Sequence, residues 1–184
     1  MFSYQKRLLY PVYVEQKNEK LAWTLLEHIG GKDGEFTAFT RHMYQRLHVI
    51  NPYIRDLLGM IASEELAHME IIAAAVRKLG LADLPLANSG QESWNMEYVE
   101  KSTNINEMLK INEEAEIRAK RLYLRHLTLT EDTSLKKMLQ FLVNREEVHQ
   151  RLLKKSGVLV AQEANNEQFS TLIHEYKMSL RVMK

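Results

Sequence analysis

Apolar side chains recur every three or four residues through the middle of the chain, which predicts an amphipathic helix over residues 52 to 79. Asn51 can cap this helix, Pro52 occupies its first position, and Gly80 follows its last residue. The residues of its repeating face are Ile54, Leu58, Ile61, Glu65, His68, Ile72, Ala75 and Leu79. A glutamate and a histidine therefore interrupt a stripe that is otherwise apolar.

The same pattern returns over residues 133 to 155, after a helix cap that either Asp132 or Thr133 can provide. Its face is formed by Leu135, Leu139, Leu142, Glu146, His149 and Leu153. A Glu-x-x-His pair again stands where the period requires leucine. A buried carboxylate or imidazole without a partner costs several kcal/mol, so both pairs need something that satisfies them.

The rest of the chain also has a helical pattern. We predict helices over 18–29, over 34–49 with Asp33 as cap, over 105–129 with Thr103 or Asn104 as cap, and over 166–182. No alternating strand pattern appears, so the predicted class is all-α. We expect a single domain over 1–184, with an N-terminal arm (1–16), a four-helix bundle (17–160, its halves joined by 80–103) and a C-terminal helix (161–184).

Composition excludes several classes of function. The formal net charge is +1, so no strong field exists to attract nucleic acid or an anionic membrane. No segment reaches the roughly 18 apolar residues of a membrane span, and the N-terminus lacks the apolar run of a signal peptide, so we expect a cytoplasmic protein. The sequence contains no cysteine, so any metal must bind oxygen and nitrogen ligands.

The two Glu-x-x-His pairs belong to a larger repeat. Glu35 precedes Glu65 by 30 residues, and Glu116 precedes Glu146 by the same number. The first half of this repeat corresponds to the second half at a constant offset of 81 residues, which pairs Glu35 with Glu116, Glu65 with Glu146, and His68 with His149. We interpret this as the internal duplication of a helical hairpin that carries one glutamate on its first helix and Glu-x-x-His on its second.

Two residues on the first helices of these hairpins have alternative interpretations. Because Glu113 and Glu114 lie beside it, Glu116 alone could belong to a solvated acidic face, and only the 81-residue offset selects it. His42 follows Glu35 by seven residues on the same helical face. It can reach the site or pack as a hydrogen-bonded core residue.

Two hairpins folded face to face would bring four carboxylates and two imidazoles together at the centre of the bundle. Residues three apart on a helix point the same way, and the two oxygens of one carboxylate can bridge two ions. This donor set is typical of dinuclear carboxylate-bridged bundles. It suits manganese and iron alike, so the residue types leave the metal open.

Four stretches resemble the manganese catalases, and especially their short relatives found as spore-coat proteins. They are Tyr10-Pro11-Val12, GGKDGE at 30–35, SEELAHMEII at 63–72 and FLVNREEVHQ at 141–150. Each fragment alone is unspecific, whereas the combination, which spans most of residues 8–155, is specific. The resemblance implies a ferritin-like fold, a homo-oligomer, and spore-coat proteins as partners.

The resemblance also implies roles for individual residues and a reaction, the disproportionation of hydrogen peroxide to water and dioxygen. The residues that match ligands of two manganese ions are Glu35, Glu65 (as the bridge), His68, Glu116 and His149. Glu146 matches a carboxylate that handles protons beside the metals, although the equivalent residue binds metal in ferritin-like di-iron proteins. Two positions depart from the family: His42 stands where tyrosine is common, and Ala115 where some full-length members carry a basic residue.

Three functions are therefore open at the level of sequence. The first is a dimanganese catalase, and the second is a di-iron oxidase or peroxidase with two iron ions in the same ligands. The third is a structural spore-coat protein whose metals mainly stabilise the bundle. The last would place the protein in a spore coat after assembly.

Overall fold

A computed structural model describes residues 8–181 of the chain, and its fold is all-α, as predicted. Within these residues no strand forms, and the longest non-helical segment contains one short 3-10 turn, Met96–Tyr98. The helices are α1 (Glu19–Leu25), α2 (Glu27–Gly30), α3 (Glu35–Arg46), α4 (Pro52–Leu79), α5 (Ile105–Leu127), α6 (Thr133–Ala161) and α7 (Asn166–Arg181). Each helix in this range is too short or too polar to cross a membrane.

Four of these helices form the bundle, in two hairpins. Helix α3 packs along α4, and α5 packs along α6. The short α1 lies against α4, and α7 lies against both α4 and α6. The two longest helices, α4 and α6, therefore form the middle of the molecule and carry the two Glu-x-x-His pairs.

Local signals set most of the helix limits. The side chain of Asn51 accepts hydrogen bonds from the backbone N–H groups of Tyr53 and Ile54 at the start of α4. Gly80 follows the last residue of α4, and its φ of 117° lies in a region that favours glycine. Asn104 caps α5, and Asp132 caps α6. These caps agree with the sequence pattern.

Other limits differ from the prediction. The predicted helix over 18–29 is interrupted at Leu26, and the predicted cap at Asp33 is wrong, because the N-cap of α3 is Gly34. The carboxylate of Asp33 instead accepts a hydrogen bond from Arg118 on α5. Helix α6 runs on to Ala161, since Leu159 packs into a core shared with α7.

The described part of the N-terminal arm packs on its own chain. Val12 is buried in the core, and the ring of Tyr10 stacks on Phe141 of α6 with centroids 4.6 Å apart. The part of the predicted arm before Leu8 lies outside the described residues.

The apolar core is divided into two clusters along the bundle axis. On α4, one cluster contains Ile71 to Leu79 and the other contains Ile54 to Ile61. On α6, the division falls between Val143 and Leu152. The polar residues of both helices therefore lie in a layer that is closed above and below by apolar side chains.

Candidate metal centre

The four bundle helices bring all six predicted site residues into this layer. Glu35 is the first residue of α3 and is 4% exposed. The other five, each 1% exposed or less, are Glu65 and His68 on α4, Glu116 on α5, and Glu146 and His149 on α6. The alternative of a solvated acidic face at Glu116 is excluded by its burial, whereas the neighbouring Glu114 is exposed.

The six side chains form two overlapping groups of four possible ligands. Glu35 and His68 belong to the first group, and Glu116 and His149 belong to the second. Glu65 and Glu146 belong to both. Within each group the ligand atoms lie within 4.8 Å of one another, a span that suits one cation. The arrangement therefore matches two neighbouring ions with shared carboxylates.

Both imidazoles present Nδ1 to the carboxylates. The Nδ1 atom of His68 lies 3.0 Å from Glu65 Oε2 and 3.1 Å from Glu146 Oε1. The Nδ1 atom of His149 lies 3.0 Å from Glu65 Oε1 and 3.8 Å from Glu146 Oε2. The two rings face each other, with centroids 5.6 Å apart and an interplanar angle of 20°.

Several buried atoms at this centre lack a hydrogen-bond partner among residues 8–181. They include Glu65 Oε1, Glu146 Oε1 and His149 Nδ1. A buried polar atom without a partner costs free energy, which a bound cation would recover. Oxygen and imidazole nitrogen are donors that manganese accepts. The residues present therefore fit a pair of metal ions.

Glu64 is a further residue of the site that sequence reasoning missed. Its Oε2 atom lies 3.1 Å from Nε2 of His149, and its Oε1 atom lies 3.4 Å from Nε2 of His68. The hydroxyl of Tyr176 on α7 also donates to Oε2, at 2.8 Å. The carboxylate of Glu64 therefore bonds the back of one imidazole and lies close to that of the other, and a proton on Nε2 leaves Nδ1 free for a metal.

The guanidinium of Arg145 forms an ion pair with the carboxylate of Glu64. It donates from Nε and Nη2 to the two oxygens of Glu64, and its Nη1 reaches the hydroxyl of Ser179 on α7. Glu64 and Arg145 each directly precede a glutamate of the repeat, and they are 81 residues apart. The offset that selects Glu116 would also have identified this pair.

Two more side chains cross between the hairpins. His42 on α3 donates from Nε2 to Glu116 Oε1 on α5, at 3.2 Å. Tyr123 on α5 donates its hydroxyl to Glu35 Oε1 on α3. His42 and Tyr123 again differ by 81 positions, so each hairpin positions the first glutamate of the other. Of the two alternatives for His42, contact with the site is the one observed.

The carboxyl groups of the centre differ in their proton affinity. Burial, followed by the charge of Glu65, raises the pKa of Glu35 to about 8. Burial and the charges of Glu65 and Glu35 also raise the pKa of Glu146. Burial opposes ionisation of Glu65 as well, but His149 and His68 offset it and lower the pKa of that group. Glu65 is therefore held ionised, while Glu146 favours a proton.

Comparison with known proteins agrees with this geometry. The family described as manganese containing catalase matches residues 1–83 and 80–171 of the chain. The chain belongs to the manganese catalase family. Among its relatives, a protein named probable manganese catalase from Clostridium acetobutylicum is 31% identical, over 92% of this chain and 85% of the relative. Protein CotJC from Bacillus subtilis is 30% identical, over 91% of this chain and 98% of CotJC.

A solved structure supports the family assignment at the level of fold. The crystal structure of KatB, a manganese catalase from Anabaena, matches with a TM-score of 0.82 and 25% sequence identity. The match covers 89% of this chain and 82% of KatB. The helical bundle of this manganese catalase family member is therefore ferritin-like, as the resemblance implied.

Proposed function

We propose that this protein is a dimanganese catalase, which converts two molecules of hydrogen peroxide into two molecules of water and one of dioxygen. The observation that carries this conclusion is the pair of buried ligand groups that share Glu65 and Glu146, in a chain of the manganese catalase family. The cofactor is a pair of manganese ions. When bound, the ions accept and return two electrons by alternating between their divalent and trivalent states.

The ligands would divide between the two ions as the two groups do. Glu35 and His68 would hold one ion, and Glu116 and His149 the other. Glu65 would bridge them, because its two oxygens face different histidines and its pKa is lowered. The apolar clusters above and below would keep bulk water away from the reacting oxygens.

Glu146 is the candidate proton carrier. Oxidation of one peroxide releases two protons, and reduction of the next consumes two, so groups near the centre must hold protons between the two steps, and a single carboxyl group carries one of them. The Glu146 carboxyl lies within reach of both ligand groups, and its raised pKa favours the protonated form. Glu65 and Glu146 thus have the same reach but opposite proton affinity, which supports the bridging role for the first and an acid–base role for the second. Glu35 also has a raised pKa, but it belongs to one ligand group only.

Metal analysis together with an oxygen-evolution assay tests this function. Protein expressed with both manganese and iron available should contain two manganese ions per chain and release dioxygen from peroxide. Glu65→Ala should lose both ions. Iron occupancy without dioxygen release would instead favour the di-iron oxidase or peroxidase, and retention of two ions in Glu65→Ala would contradict the bridge.

A structural role in a spore coat is the second candidate. The match with CotJC extends over 98% of that relative, at 30% identity. We propose a cytoplasmic homo-oligomer, with assembly alongside spore-coat proteins as the alternative. A metal-loaded protein that is inert to peroxide, and whose assembly in size-exclusion chromatography needs the metal, would favour the structural role.

A further inference from the structure

The enclosed centre requires a route for its substrate. All six side chains are 4% exposed or less, and apolar clusters close the layer at both ends. Three cavities of the described residues lie at the ends of the bundle, where they reach Leu79, Leu81 or Ile105. Leu79 on α4 and Ile105 on α5 are each about 16 Å along their helix from the nearest candidate ligand, at 1.5 Å per residue, and Leu81 lies beyond the end of α4.

A fourth cavity, of about 430 Å³, is lined by residues of α3 and α5, the helices that carry Glu35 and Glu116. We call it the α3–α5 cavity. Its lining includes Asp33 and Glu114, each two residues before a candidate ligand, and Ile111 of α5. Tyr98, from the connection between the two halves, also lines it. A molecule of the size of hydrogen peroxide fits this volume many times over.

Arg41 of α3 reaches from this cavity to Asn112, which lies about one helical turn before Glu116 on α5. It lines the cavity, is 3% exposed, and donates from Nε to Asn112 Oδ1 at 2.7 Å. Among residues 8–181 its two terminal nitrogens have no hydrogen-bond partner. Burial lowers the pKa of Arg41, whereas the charges of Glu116 and Glu65 raise it, so the guanidinium is within electrostatic reach of the centre.

We propose that the α3–α5 cavity admits hydrogen peroxide to the centre and that Arg41 binds the peroxide on its way in. Guanidinium N–H groups donate hydrogen bonds to peroxide oxygens, and a buried cation also attracts small anions. This inference rests on the proposed function for the identity of the substrate, but the cavity would admit any small anion of similar size.

Variants of Arg41 test the binding role. In manganese-loaded protein, Arg41→Ala should raise the KM for peroxide by about tenfold, the size expected for a lost charge-assisted hydrogen bond, with a smaller effect on kcat. Arg41→Lys, which keeps the charge, should recover part of the loss. Arg77→Ala removes an equal charge from the exposed end of α4 and serves as the matched control.

A blocking variant and a binding probe complete the test. Ile111→Trp should narrow the cavity, and it changes none of the candidate ligands. The binding of azide should then be slower, as measured by stopped-flow absorption of the metal centre. Arg41→Ala should slow it too. Wild-type rates in metal-replete, folded Arg41→Ala would overturn the role of Arg41, and wild-type rates in Ile111→Trp would overturn the route.

The two proposals fail in different ways. If the wild-type protein binds azide but releases no dioxygen, the proposed catalase function is refuted. The azide rates of the variants then still test the proposed route. If Arg41→Ala loses its metal or its fold, Ile111→Trp and Arg41→Lys still decide the question. Equal azide rates in wild type, Ile111→Trp and Arg41→Lys would then reject the inference.

Discussion

Arg145 donates two hydrogen bonds to the carboxylate of Glu64, its counterpart 81 residues earlier in the repeat, with an Nη2–Oε2 distance of 3.0 Å. Both residues are buried and form an ion pair. The duplicated hairpin therefore places opposite charges at equivalent positions, directly behind the two histidines.

Glu64→Gln should weaken metal binding, because His149 loses its charged acceptor, His68 loses a nearby carboxylate, and Arg145 is left buried without its partner. We expect metal affinity to fall by 10- to 100-fold, roughly the effect of losing such an outer contact. The free energy of unfolding should fall by about 3 kcal/mol. Metal titration and urea unfolding measure the two effects. Glu70→Gln, the same change on the exposed side of α4, is the control, and equal behaviour of both variants would contradict the role of Glu64.

Tyr176→Phe tests the connection between α7 and the centre. The hydroxyl of Tyr176 donates to Glu64 and also lies 3.0 Å from the carbonyl oxygen of Met60. Its removal deletes these buried hydrogen bonds, while Oε2 of Glu64 keeps its contacts with Arg145 and His149, so the free energy of unfolding should fall by about 0.5–1.5 kcal/mol. Tyr13→Phe removes a hydroxyl from a side chain that is 65% exposed, and it should change nothing in the same urea titration. If the urea midpoint of Tyr176→Phe equals that of wild type, the hydrogen bonds of this hydroxyl do not stabilise the fold.

Variants at the first-helix glutamates should separate the two metal positions. Glu35 belongs to one ligand group and Glu116 to the other, so Glu35→Gln and Glu116→Gln should each reduce the metal content from two ions to one. Elemental analysis measures the number of metal ions bound per chain. Glu114→Gln changes an exposed neighbour and should keep both ions. Loss of both ions from either single variant would show that the two positions bind only cooperatively.

The stability of the protein should fall in acid partly through a histidine pair outside the ligand groups. Nε2 of His28 lies 2.6 Å from Nδ1 of His126, and burial lowers the pKa of both rings, that of His126 to about 4. Between pH 6.5 and about 4 the unfolded chain gains a proton that folded His126 excludes, so stability is lost as the pH falls. His126→Gln should reduce this slope by up to about 1.4 kcal/mol per pH unit.

Urea unfolding at several pH values between 4 and 7 measures that slope. The control is His48→Gln, since His48 is exposed and its replacement should keep the wild-type slope. A slope for His126→Gln equal to that of wild type would show that the acid sensitivity arises elsewhere.

Metal removal should destabilise the bundle, because the centre then holds four carboxyl groups and several unpaired buried atoms. Chelated protein should have a lower thermal midpoint, and a free metal concentration about 1,000 times Kd should restore about 4 kcal/mol. Differential scanning calorimetry with manganese, and with magnesium as the control, measures this. Equal midpoints with and without manganese would exclude a stabilising role for the metals.

Local signals predicted the fold well where they act alone. Asn51, Pro52 and Gly80 set both ends of α4, because a cap and a left-handed glycine act through their own backbone neighbours. The prediction was wrong where a distant group intervened. Asp33 looked like a cap, but Arg118 from another helix binds its carboxylate.

The centre shows the same division between sequence and tertiary structure. Periodicity and the 81-residue offset alone determined which six residues would meet, since each lies on the buried face of its own helix. The partnership of Glu64 with Arg145, and the crossed contacts of His42 and Tyr123, were decided only by the packing of the hairpins. Helical periodicity records which face of a helix is buried, whereas the partner across an interface depends on how two helices are aligned and rotated against each other.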